Sequence, residues 1–102
     1  MIISSYKREP GQAVQGALST VKIISNGNRY AIVKLLLGTK KDLCVHELSE
    51  AIGISQSAMS HQLAYLEARG VVQSVRMGKT RCYLPTDSPV TRRLARVIRS
   101  LA

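Results

Sequence analysis

Within the stretch SQSAMSHQL, residues Gln56, Ser57, Ser60 and His61 carry amide, hydroxyl and imidazole groups at helical spacing, with no charge among them. Such groups both donate and accept hydrogen bonds, so on one exposed face they could meet base edges or phosphate oxygens. The same serines and histidine could instead suggest a nucleophile and its base. That chemistry needs an orienting acid and an oxyanion hole, and the stretch offers neither. The chain has 6 acidic residues, none paired for acid–base work. MGKT resembles the end of a phosphate-binding loop, but the glycine that such a loop requires would stand where Gln73 does, and no helix follows. The residues do not suggest an enzyme.

The elements that must position these groups follow from periodicity. Ala13, Val14, Ala17, Leu18, Val21 and Ile24 recur at helical spacing and predict a first amphipathic helix. SNGN is a turn cluster that offers a cap to a second helix, RYAIVKLLL, which Gly38 should end. VHELSEAI predicts a short third helix with Gly53 behind it, and SQSAMSHQLAYLEAR a fourth that stops at Gly70. VVQSVRM and TRCYL are β-branched or aromatic enough for two strands of a hairpin turning at Gly78-Lys79. Ser88-Pro89 then starts a last helix, with Val90, Leu94, Val97, Ile98 and Leu101 on one face and Arg92, Arg93, Arg96 and Arg99 off it. The predicted fold is mainly α with a small β-hairpin, in the order α-α-α-α-β-β-α.

Two short helices joined by GISQ are a helix-turn-helix arrangement. In its second helix Met59, Leu63 and Leu66 should face inward, leaving Ser57, Ser60, His61 and Ala64 outward. The hairpin adds Arg76, Lys79 and Arg81 around a glycine turn, a cationic loop suited to an adjacent phosphate run. A helix-turn-helix followed directly by such a hairpin is a winged helix.

The totals agree. The chain has 102 residues, enough for one small domain, and a net charge of +9. Its pI is about 10.2. A polyanion is the natural partner of that charge, because each neutralised phosphate releases condensed counterions. An acidic membrane surface would serve the charge as well. However, Lys34 interrupts the longest apolar run, AIVKLLLG, which is far too short to cross a bilayer. The N-terminus lacks the apolar stretch of a signal peptide, and 2 cysteines are too few for a secreted scaffold. The expectation is a soluble cytoplasmic protein: residues 1–11 a mobile basic arm, residues 12–102 the DNA-binding and dimerisation domain.

DLCVHELSEAIGISQSAMSHQLAYLEARGVVQSVRMGKTRCYL resembles the core of the ArsR/SmtB family of winged-helix repressors, and ISNGNRYAIVKLLL resembles that family's second-helix signature. The likeness runs from Ala13 to about Leu84. It implies a homodimer joined through the first and last helices, binding double-stranded operator DNA and released by an inducer. By motif position, Gln56, Ser57, Ser60 and His61 are the implied recognition-helix contacts. Where the family's metalloid sensors open the third helix with C-x-C-x-x-C, this chain has Cys44, His46 and Ser49, so one thiol remains. Zinc sensors of the family use His and carboxylate ligands on the last helix, and VTRRLARVIRSLA has none. No metal or other cofactor is expected, and the inducer stays unnamed.

Cys44 falls at the N-cap of the third helix with Glu47 in capping-box register, where the helix dipole favours a thiolate. In winged helices the residues before this helix commonly pair with the second hairpin strand, which here carries Cys82. Two readings follow: neighbouring thiols that form a redox switch, or two unpaired, partly buried thiols. The second is the preferred one. For the whole chain, the reading is a sequence-specific DNA-binding transcriptional regulator, acting as a repressor on an inverted repeat through residues 56–69 and a wing at 76–81. Its rivals are a sequence-tolerant architectural DNA-binding protein and a winged-helix protein–protein module.

Overall fold

Hydroxyl and amide caps set where most of the helices begin. In a computed structural model that describes residues 11–101, the order is α1 (Gly11–Ile24), α2 (Gly27–Gly38), β1 (Leu43–Cys44), α3 (Val45–Ile52), α4 (Gln56–Ala68), β2 (Val72–Met77), β3 (Thr80–Pro85) and α5 (Pro89–Leu101). Asn26 Oδ1 accepts from the Arg29 N–H at 3.0 Å, and Ser55 Oγ from the Ala58 N–H at 3.0 Å. Ser88 Oγ accepts from the Thr91 N–H at 3.3 Å, with Pro89 at the first helical position. Each cap satisfies an amide that the first turn leaves without a partner.

Gly53 and Gly70 follow α3 and α4 at φ 84° and 76°, in the left-handed region where a side chain would be strained. Gly38 departs from expectation. It remains the last residue of α2, and Thr39 caps the helix in an extended conformation, its N–H donating to the Leu36 carbonyl. The chain leaves α2 extended, so no left-handed residue is required there.

The sheet has three antiparallel strands in the order β1-β3-β2: the expected hairpin and, as expected of a winged helix, the residues before α3 paired with its second strand. The added strand is two residues long, too short to leave a periodic signal; Leu43 pairs with Tyr83 and Cys44 with Cys82. In the hairpin Ser74 opposes Tyr83, Val75 opposes Cys82 and Arg76 opposes Arg81. Opposed residues share a face. Arg76, Arg81, Ser74 and Tyr83 therefore lie on one side of the sheet, and Val75, Cys82 and Cys44 on the other.

The core gathers Ile23, Ile32, Val33, Leu36, Leu48, Met59, Leu63, Leu66, Val71, Leu94 and their neighbours into one cluster. At its edge the hydroxyls of Thr86, Ser88 and Thr91 converge on the carbonyls of Gly70 and Val71, tying the start of α5 to the end of α4. α1 packs on α5, where Arg93 donates to the Gly16 carbonyl and to Thr20 Oγ1. What α1 buries is Thr20 and Ile23, whereas its apolar stripe of Val14, Leu18 and Val21 is 40%, 56% and 59% exposed. The basic arm expected over residues 1–11 lies outside the described residues, save that Gly11 opens α1.

Candidate nucleic-acid interface

Three apolar side chains hold α4 in place. Met59, Leu63 and Leu66 fall at i, i+4 and i+7 and are completely buried. Their spacing turns the other side of the helix outward, so Gln56, Ser57, Ser60, His61 and Ala64 are all exposed, as the periodicity predicts. None of these five is Asp, Glu, Lys or Arg; the exposed Glu67 continues the face only at its C-terminal end.

The hairpin stands beside it. Gln56 and Ser60 of α4 share an open cleft with Arg76, Lys79, Arg81 and Tyr83 of the wing. The turn is made by Gly78 at φ 66°. Arg76 Nε donates to the Gly78 carbonyl at 3.2 Å, which curls its guanidinium back over the turn. Arg81 Nη1 donates to Ser74 Oγ at 2.9 Å, and Ser74 in turn donates to Glu67 Oε2 at 3.0 Å. This chain of hydrogen bonds braces the wing against the last turn of α4. Burial pushes the Tyr83 phenol above its ordinary pKa; Glu67 adds to the rise and Arg81 opposes it. The hydroxyl thus stays protonated at neutral pH and can donate into the cleft.

The seven residues read from the sequence as the DNA-facing set are therefore all on the surface, and five of them, Gln56, Ser60, Arg76, Lys79 and Arg81, line one cleft. Ser57 and His61 lie on the same exposed helix face. Among the described residues the one ion pair is Arg92 with Asp87, at 3.1 Å; of the wing's cations, Arg81 reaches the Glu67 carboxylate through Ser74, and Arg76 and Lys79 form no ion pair.

Sequence reasoning misses the support behind α4. Arg29, at the start of α2, donates to the carbonyls of Ile23 and Lys22 at the end of α1 and reaches Gln62 Oε1 at 3.5 Å. Its guanidinium also lies 4.1 Å from the centre of the Tyr65 ring, and that of Arg69 lies 3.4 Å from the same ring. The Tyr65–Arg69 contact is an i, i+4 pair and legible as such. Arg29 sits 36 residues from Tyr65 (65 − 29), and no local pattern announces it.

The preferred reading of two unpaired thiols is overturned: Cys44 and Cys82 are joined in a disulfide. Their direct opposition across β1 and β3 places the two sulfurs together on one face of the sheet. Cys44 is half-buried and Cys82 fully buried. At the cap, the Cys44 N–H donates to Glu47 Oε1 at 2.9 Å, as the capping-box register predicts. His46 is exposed, while Ser49 is buried and donates to the His46 carbonyl. The three positions of the metalloid motif consequently do not face a common point. Among the described residues no three His, Cys, Asp or Glu side chains converge, and no helix is long and apolar enough to cross a membrane.

Comparison with known proteins bears on the same segment. A family model described as a bacterial regulatory protein, arsR family, matches residues 26–74, from the cap of α2 into β2. The HTH-type transcriptional regulator NmtR of Mycobacterium tuberculosis is 36% identical over 87 residues, covering 85% of this chain and 71% of that protein. A Halobacterium salinarum protein described as a candidate arsenical resistance operon repressor, ArsR, is 34% identical over 76 residues. That match covers 74% of this chain, which spans only 59% of the relative's length. Among solved structures, HlyU from Vibrio cholerae superposes with a TM-score of 0.77 at 28% identity, covering 89% of this chain and 97% of that one.

Proposed function

The chain belongs to the arsR family of bacterial regulatory proteins, winged-helix DNA-binding transcriptional repressors, and we propose that it reads an inverted-repeat operator as a homodimer, with the outward face of α4 in the major groove and the wing on the flanking phosphates. The observation that carries this reading is the shared cleft. An uncharged hydrogen-bonding helix face and three wing cations, Arg76, Lys79 and Arg81, open on the same side of the molecule. Base edges need the first and phosphates the second.

The exposed face of α1 supports the dimer. Its stripe of Val14, Leu18 and Val21 is exposed, and so is Leu101 of α5, at 60%. Helix faces of this kind are ordinarily covered, and a two-fold axis lets the same patch cover itself. Two recognition helices would then meet successive major grooves about 34 Å apart. The family is not one of enzymes, and a non-catalytic role in the cytoplasm, where the chromosome is, belongs to this proposal.

Selecting binding sites from random duplexes tests it. The expected product is an inverted repeat bound far more tightly than random DNA. A specificity ratio near one would favour an architectural protein, and absence of binding at physiological salt a protein–protein module. Either result overturns the operator reading.

A further inference from the structure

We propose that Cys44 and Cys82 are a hydroperoxide-sensing site whose reversible disulfide tightens the grip on operator DNA; the inference rests on the DNA-binding reading above. The two cysteines of the chain lie 38 residues apart, on separate elements, and the register sets them face to face. Cys44 is both the end of β1 and the N-cap of α3, the first helix of the helix-turn-helix. Cys82 sits between Arg81 and Tyr83, which turn to the DNA-facing side of the same strand. The bond therefore fastens the helix-turn-helix to the wing at the point where their relative position is set.

The pair is poorly placed to be a structural staple. The core cluster is continuous without either sulfur. Inside cells, moreover, disulfides are commonly transient and redox-sensing, because thiol buffers reduce them. The surroundings suit a sensor. Cys44 is partly exposed at a helix N-terminus, where unpaired amides favour a thiolate, and Cys82 is buried beside it as the partner that resolves the first product. The Glu47 carboxylate is held by the Cys44 N–H.

The chemistry balances with a hydroperoxide as oxidant. The Cys44 thiolate attacks one peroxide oxygen; a sulfur–oxygen bond forms, the oxygen–oxygen bond breaks, and the departing oxygen takes a proton and leaves as water. The Cys82 thiol then attacks the Cys44 sulfur. The sulfur–sulfur bond forms, the sulfur–oxygen bond breaks, and hydroxide leaves with the Cys82 proton as a second water. Two thiols lose two electrons and one hydrogen peroxide gains them. A dithiol reverses the step by exchange.

The direction of the effect comes from the bonded structure. With the disulfide in place, Gln56 and Ser60 share one cleft with Arg76, Lys79 and Arg81. Without it, the base of the wing keeps Val72 and Tyr83 in the core, but beyond them it is joined to α3 by a strand of two residues, Leu43 and Cys44, and to α4 by the Ser74–Glu67 hydrogen bond. Reduction loosens an arrangement that operator binding needs fixed. By linkage, DNA must favour the disulfide by the same factor.

The test measures affinity of the full chain for its selected duplex and for random duplex, after dithiothreitol and after stoichiometric hydrogen peroxide. The oxidised form should bind the selected duplex about tenfold more tightly. Cys44→Ser, which keeps a good cap, and Cys82→Ser should bind like the reduced protein and ignore peroxide. In glutathione buffers the selected duplex should lower the midpoint potential of the pair by about 30 mV for that tenfold difference. Equal affinity in both redox states, tighter binding by the reduced form, or a peroxide response that survives Cys82→Ser overturns the switch and leaves the operator reading intact. Failure of both forms to distinguish selected from random duplex overturns the operator reading, and the switch with it.

Discussion

The outward face of α4 and the tip of the wing open on one cleft, yet they are held in contrasting ways. On α4 the exposed Ser57, Ser60 and His61 stand on a backbone whose opposite side, Met59, Leu63 and Leu66, is wholly buried. On the wing, Arg76 and Lys79 flank or form a glycine turn and are exposed, Arg76 with its guanidinium curled over the turn. Short groups on a rigid helix can discriminate one base edge from another, because a hydrogen bond weakens steeply with misalignment. Long cations on a turn need only come near a phosphate. On the proposed reading the contrast is a division of labour, with α4 supplying specificity and the wing affinity.

The strongest way to break that contrast is to soften the foundation of α4. Leu63→Ala removes a completely buried side chain beneath the reading face and should destabilise the domain by about 2–5 kcal/mol. Thermal unfolding should show a fall in Tm of more than about 8 °C. Discrimination between operator and random duplex should decline as well, even at temperatures where the variant is still folded. An unchanged Tm would mean that α4 is not anchored through this side chain.

Ser57→Ala and His61→Ala leave the foundation intact and alter the face alone. Each should cost about 1–3 kcal/mol on the selected duplex and little on random DNA. Equilibrium binding to the two duplexes in parallel checks this. If His61→Ala weakens both equally, that histidine holds the backbone and does not read.

Arg29 supports α4 from behind, through the Tyr65 ring and Gln62. Arg29→Met keeps much of the apolar stem but loses the cation over the ring and the bonds to the end of α1. A loss of about 1–2 kcal/mol is expected, seen in denaturant unfolding. A variant as stable as the parent would show that Tyr65 needs no second guanidinium beyond Arg69.

Much of this division is legible in the chain before any coordinates. Met59, Leu63 and Leu66 announce the buried side of α4, and Ser55 and Ser88 announce two helix starts, because caps and periodicity are local. What is not local is not legible. The stripe of Val14, Leu18 and Val21 reads as a buried face, but periodicity does not say whether the same chain or a second copy covers it. In the monomer it is open, and Ile23 packs inward instead. The winged-helix arrangement brings the segment of Cys44 beside the strand of Cys82, but the exact opposition of the two sulfurs depends on the register of a two-residue strand, which no local pattern sets, and the preference for free thiols fails there. Gly38 looks like a helix stop by type alone, yet the φ it would supply is not needed.

Lys79→Ala sharpens the contrast from the other side, and its expected effect is the smallest. The side chain is exposed at the hairpin turn and makes no ion pair among the described residues, and on the proposed reading it would touch one phosphate. Losing one such contact should reduce the dependence of log affinity on log salt by about one. At physiological ionic strength the same slope amounts to about a fivefold loss, equal for selected and random duplex. A salt titration on both duplexes is decisive because reading and holding respond differently. Loss of a base contact changes the gap between the two lines, whereas loss of a phosphate contact changes their common slope. A Lys79→Ala protein whose two lines keep their slope but draw together would place that lysine on a base edge, and the wing would then share in the reading.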